Sequence, residues 1–177
     1  MMVALCKSAL AVLVPLFLLS LGGAQLREEP LNPKEIDELR DAAQQPAQRM
    51  KLYVDFARAR LVALEEMRAD PKVKDRAQQT HDRLENFLAV YDELNDNIDT
   101  FVERKEDLRK PLKMVIEADN EFQAKLRALQ STRDSNPSEV EHYQFVLDNA
   151  VETVDTSLQD HRQLLSEQEE AAKHKKK

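Results

Sequence analysis

Residues 71–130 read PKVKDRAQQTHDRLENFLAVYDELNDNIDTFVERKEDLRKPLKMVIEADNEFQAKLRALQ, and the spacing of their apolar side chains decides the fold. From Val73 the chain steps alternately by four and three residues through Ala77, Thr80, Leu84, Phe87, Tyr91, Leu94, Ile98, Phe101, Lys105 and Leu108. That is a heptad seam, one stripe of a helix turned toward a partner helix. The register runs on through Leu112, Val115, Asp119, Phe122, Leu126 and Leu129 without a phase jump. Independent helices share a phase only about one time in seven, so the continuity points to one long helix kinked at Pro111. The competing reading is a turn at Arg109-Lys110, with Pro111 at the first position of a new helix, where its missing N–H costs nothing. Unbroken, residues 71–132 would span roughly 90 Å at 1.5 Å per residue.

The remaining prolines mark where the other helices begin. Asn32-Pro33-Lys34-Glu35 and Asn136-Pro137-Ser138-Glu139 each offer a capping Asn, a Pro in the first turn and a Glu that reaches back to the cap. Asp70-Pro71 is a third start with Asp as the cap, and Gln45-Pro46 a fourth. Between Pro46 and Ala69, Met50, Tyr53, Val54, Phe56, Ala57, Leu61, Leu64 and Met67 are apolar on more than one side, so this helix is expected to be the most enclosed. The short segment from Pro33 to Gln45 reads as a loose arm. Ser131 to Ser138 is the clearest loop. The final helix has its seam at Val140, Tyr143, Leu147, Val151, Val154, Leu158, His161 and Leu165, and becomes too polar for firm packing after Glu167.

The first 24 residues differ in kind from all the rest. Lys7 precedes an uncharged apolar stretch from Ala9 to Leu19, and the small residues Gly22 and Ala24 stand where a signal peptidase cuts. The stretch is shorter than the ~20 residues that span a bilayer, and Pro15 interrupts it. Cleavage after Ala24 would place the protein in the periplasm or outside the cell. Of the 26 basic and 33 acidic side chains, removal takes only Lys7, which changes the formal charge from −7 to −8. So acidic a chain lacks the basic face that neutralises nucleic-acid phosphates.

Both glycines of the sequence and its one cysteine, Cys6, fall in that leader, and tryptophan is absent. The mature chain therefore excludes disulfides, thiolate metal sites and cysteine nucleophiles. It also excludes the glycine loops whose backbones cradle phosphates. A chain without glycine has few residues suited to tight turns, which favours a few long elements.

The expected architecture is all-α: an elongated antiparallel helical bundle with coiled-coil-like heptad seams, three to four long helices plus a short N-terminal one. A signal peptide at 1–24 and a flexible N-terminus at 25–32 precede a single domain at 33–172, with a basic tail at 173–177. The helices fall near 34–45, 46–69, 71–110, 111–132 and 137–170.

Chemistry-bearing constellations are sparse. Glu139 and His142 have the Glu-x-x-His spacing of carboxylate-bridged di-iron bundles, but no second such pair exists, which leaves a capping Glu and an exposed His. His161 sits on a seam, as a haem or metal ligand or as a polar residue bonded inside the interface, and the second reading is preferred. His81 and Glu85 read as an ordinary helix-face pair, and His174 belongs to the basic tail. Leu94-Asn95-Asp96-Asn97-Ile98 and Ile116-Glu117-Ala118-Asp119-Asn120 resemble strings in the small periplasmic b-type cytochromes built as four-helix bundles. That family holds haem with a Met shortly before the first string and a His near the C-terminus. Here Asp92 and Glu93 precede Leu94, so nothing is carried over.

No catalytic, cofactor-binding or metal residue is assigned, and no cofactor or small-molecule substrate is expected. The functional expectation is an exported, non-enzymatic interaction or structural module, working through helix faces on a protein partner or on its own copy. Metal or haem in the bundle core is the alternative, as is peripheral membrane association through Lys173 to Lys177. Cations at a helix C-terminus also complement its dipole, which is the simpler account of that tail.

Overall fold

The computed structural model describes residues 30–132 and 137–174. The leader 1–24, residues 25–29, Asn136 with the loop 133–136, and the tail 175–177 lie outside the described residues. Every regular element among the described residues is helical: α1 (Pro33–Asp41), α2 (Pro46–Ala69), α3 (Arg76–Glu103), α4 (Arg109–Ser131), α5 (Pro137–Val140) and α6 (Gln144–His174).

Asn32 caps α1 as its spacing requires. Its Oδ1 accepts the N–H groups of Lys34 and Glu35, and the Glu35 carboxylate accepts the N–H of Asn32 at 2.9 Å. The same carboxylate anchors the segment, so α1 is docked and not a loose arm. Arg60 on α2 grips both Glu35 oxygens, at 2.8 and 2.6 Å, and donates to the Pro30 carbonyl at 2.7 Å. Leu39 and Ala42 are buried beneath.

Burial opposes the Glu35 charge, but the bonds from Arg60 and from the Asn32 backbone outweigh it and hold the carboxyl below its ordinary 4.5. A depressed carboxyl stabilises the fold above its unfolded value and loses that contribution as pH falls through the folded one. We expect α1 to undock on acidification below pH 4.5, and Glu35→Gln to cost about 2 kcal/mol at neutral pH. Amide hydrogen exchange over residues 33–41 checks both; protection unchanged in the variant would contradict them.

Cross-helix bonds fix the directions of the four long helices. Arg49 meets Asn97 at 2.6 Å and Arg68 meets Thr80 at 2.9 Å, so α2 and α3 are antiparallel. Lys113 meets Glu169 at 3.0 Å and Gln130 meets Asp148 at 3.0 Å, so α4 and α6 are antiparallel. Arg58 with Glu121 at 2.9 Å and Lys125 with Glu65 at 2.6 Å make α2 and α4 parallel neighbours. Two hairpin pairs thus pack side by side, with α3 against α6 as the second parallel contact. Consecutive α3 and α4 lie across the diagonal. The most enclosed helix is α2 as expected, since it packs on α1, α3 and α4 and buries all eight apolar residues named for it.

The long helix expected over 71–132 is instead two, and the break is not at Pro111. The chain leaves α3 at Arg104 through a Schellman turn, in which Lys105 N–H bonds the Val102 carbonyl at 2.9 Å and Glu106 N–H bonds that of Phe101 at 3.1 Å. Lys105 takes the left-handed position at φ 61° that glycine usually fills. Leu108 is then fully buried as the connection crosses the bundle end, which is how the seam keeps its phase through a reversal. Pro111 falls in the first turn of α4, where its missing donor costs nothing.

Two further boundaries move. Asp70 Oδ1 accepts the Lys72 N–H at 2.9 Å, a local turn that delays α3 from Pro71 to Arg76, behind Asp75 at φ 51°. The helix expected from Pro137 ends after one turn, and α6 begins at Gln144. Arg68 holds that corner, bonded to Glu139 at 2.8 Å and lying 5.3 Å above the ring of buried Tyr143. At the other end α6 stays engaged beyond Glu167. Gln168 accepts the Leu108 N–H at 2.8 Å and donates to the Glu106 carbonyl at 3.2 Å, clamping the α3–α4 crossover.

Candidate functional site

Two features stand out: a polar chain through the core and an open seam between α2 and α4. At the centre, Tyr91 Oη donates to Asp119 Oδ1 at 2.8 Å, and Asp119 Oδ2 pairs with His161 Nδ1 at 2.8 Å. Tyr91 and Asp119 are fully buried and His161 is 5 % exposed. Ser157 bonds Tyr91 as well, and accepts from Asn95 Nδ2 at 3.0 Å, which extends the chain toward the surface. Burial, and then the negative charge of Asp119, push Tyr91 ionisation well above its ordinary 10, so the phenol remains a donor. The residues come from α3, α4 and α6, and the Tyr91–Asp119 bond spans the diagonal of the bundle.

His161 therefore takes the role of a seam residue bonded within the interface, with Nδ1 committed to Asp119. The other histidines are scattered. Glu139 turns to Arg68 at 2.8 Å while His142 stays exposed, so the Glu-x-x-His spacing does not bring the two side chains to one site. His81 lies 3.9 Å from Glu85 and 3.5 Å from Asp82 on the surface of α3. His174 ends α6, one residue after Lys173, which pairs with Glu170 at 2.7 Å. Among the described residues no three His, Cys, Asp or Glu side chains gather as a metal site. No helix among them is long and apolar enough to cross a membrane.

The α2/α4 seam closes at its middle and opens at both ends. Arg58 bridges the middle, bonded to Glu121 and standing 5.9 Å from the Phe122 ring centroid. Near the starts of the two helices is a cleft of about 470 Å³, lined by Pro46, Pro111 and Met114 together with Lys51 and Lys110. Near their ends is a second cleft of about 390 Å³. Leu61, Leu64 and Leu126 form its floor, and Ala69, Ala128 and Leu129 complete its apolar lining. On its rim Glu65 and Lys125 neutralise each other at 2.6 Å.

Two large apolar side chains are exposed among the described residues, Val62 at 38 % and Phe145 at 87 %, and both stand at this second end. Val62 is one helical turn before Glu65, which stands on the rim of the cleft. Phe145 is in the first turn of α6.

Sequence reasoning missed this surface. Its one signal was an aromatic side chain at position 145, off the seam of Tyr143 and Leu147. The core chain had a clearer one, since Asp119 and His161 both occupy seam positions and a buried polar group needs a partner. The chain matches no protein-family model, no curated protein and no solved structure.

Proposed function

We propose that this protein is a non-enzymatic interaction module that docks a protein partner at the apolar cleft between the C-terminal halves of α2 and α4. The observation that supports the reading is the exposed apolar surface at that end of the bundle: Val62, Phe145 and the open cleft share it, while the other large apolar side chains among the described residues are wholly or partly buried. Exposed apolar patches of this kind cost solubility and mark sites of association. A groove between two parallel helices is also a receptacle in which an apolar side chain or helix ridge finds neighbours on both sides. The leader pattern of residues 1–24 supports an exported protein, working in the periplasm or outside the cell.

A photo-crosslinking side chain placed at Val62, with the exposed Gln159 on α6 as control, tests the reading in the protein's own compartment. The expected result is a protein adduct from Val62 and none from Gln159. Equal labelling from both positions, or none from Val62, would overturn the assignment of the cleft.

A further inference from the structure

The cleft at the other end of the α2/α4 seam differs from the docking cleft in charge as well as in place. It joins the first turns of two parallel helices, with Pro46 and Ala47 from α2 and Pro111 and Met114 from α4. Pro111 is buried and Met114 half-buried, whereas Lys51 and Lys110, which line the same cleft, are exposed. The deeper wall is therefore apolar and the outer one cationic.

No acidic side chain is among the lining residues, although the chain carries 33 acids and a formal charge of −7. The hollow between α1 and α2, by contrast, is lined by Glu38 and Asp41, and the docking cleft carries Glu65. Lys51 shares its charge with Asp55 on its own helix, at 2.5 Å, while Lys110 makes no ion pair among the described residues. An anion repelled by the acidic surface elsewhere is thus attracted here.

Charge alone would forgo the apolar wall, and an uncharged apolar ligand would gain nothing from Lys110. The volume of about 470 Å³ is that of a small-molecule site, for which roughly 300–1,000 Å³ is usual. Met114 is unbranched and polarisable, so it adapts to the shape of what it meets.

We propose that this cleft binds a single-chain amphiphile with an anionic head group, such as a fatty acid. The chain lies against Pro46, Pro111 and Met114, and the head group meets Lys110 and Lys51. The site is separate from the docking cleft, and neither depends on the other being occupied.

Decanoate, kept below its micelle threshold, is the probe. Decyltrimethylammonium carries the same chain with the opposite charge, and acetate the same head group without the chain. Amide chemical shifts of the isotope-labelled full chain are followed for the wild type and for Lys110→Glu, an exposed substitution that should leave circular dichroism unchanged. We expect saturable decanoate shifts centred on Ala47, Lys110 and Met114, binding about fivefold or more weaker in Lys110→Glu, and no saturable shifts there from the other two probes. Decanoate shifts that are absent, that centre on Leu126 in the docking cleft, or that Lys110→Glu leaves unchanged would overturn the proposal. Equal binding of decyltrimethylammonium would overturn it by marking a site for any apolar chain, and equal binding of acetate by marking a site for any small anion.

Discussion

Asp119→Ala should destabilise the bundle by about 3 kcal/mol or more, lowering its melting temperature by roughly 6 to 12 °C. The substitution leaves His161 Nδ1 without its 2.8 Å partner, in a position only 5 % exposed to water. It also strips Tyr91 of the acceptor that spans the core diagonal. A buried polar group robbed of its partner costs its full desolvation, which exceeds what the bond contributed while intact. Asp119→Asn should cost less, because its amide oxygen can still accept from Tyr91.

The informative contrast is a triple substitution, Tyr91→Phe with Asp119→Leu and His161→Leu. Replacing a whole buried polar network by apolar groups of similar volume is often neutral or stabilising. The triple variant should therefore be more stable than Asp119→Ala alone, though it carries two more changes. Thermal melts of the two proteins decide the matter, and a triple variant weaker than the single one would show that the network adds net stability.

Phe122→Ala is the second large effect, at about 4 kcal/mol. The ring is fully buried, 5.6 Å from Phe87 and 6.1 Å from Tyr91, and meets both edge to face. These contacts also cross the diagonal, so the loss falls where the two hairpin pairs meet and no other layer compensates. Arg58, 5.9 Å from the Phe122 centroid, loses its ring as well, which loosens the bridge in the middle of the α2/α4 seam. The denaturant midpoint should fall while the slope stays constant, as for a cavity in an otherwise intact core. A loss below about 1 kcal/mol would mean that the three rings do not form the centre described here.

The aromatic layer was legible in the sequence, because Phe87, Tyr91 and Phe122 all fall on one heptad register. The same register concealed the reversal after α3. Periodicity reports which face is buried and says nothing of direction, so a turn that keeps Leu108 in the core leaves the phase intact. Lys105 was the available sign, a charged residue on an apolar seam, now explained by its left-handed position in the turn.

Asp119 and His161 were each placed on a seam, yet they stand 42 residues apart and only the packing of α4 on α6 joins them. The clefts were beyond reach for a related reason. A gap between helices depends on how closely neighbours approach, and the pattern within any one helix does not contain that distance. The turn before α6 has neither glycine nor proline, and it is held from outside by Arg68, which bonds Glu139 and lies over the ring of the turn residue Tyr143.

The parallel contact of α2 with α4 underlies the docking surface, and zero-length carbodiimide coupling followed by mass spectrometry tests it on the unmodified chain. Amide links should form within one chain between Glu65 and Lys125, whose charged atoms are 2.6 Å apart, and between Glu169 and Lys113 at 3.0 Å. Local links such as Lys51 to Asp55 serve as the positive control. Efficient local coupling with no link from Lys125 to Glu65 would contradict the arrangement and, with it, the docking cleft between α2 and α4.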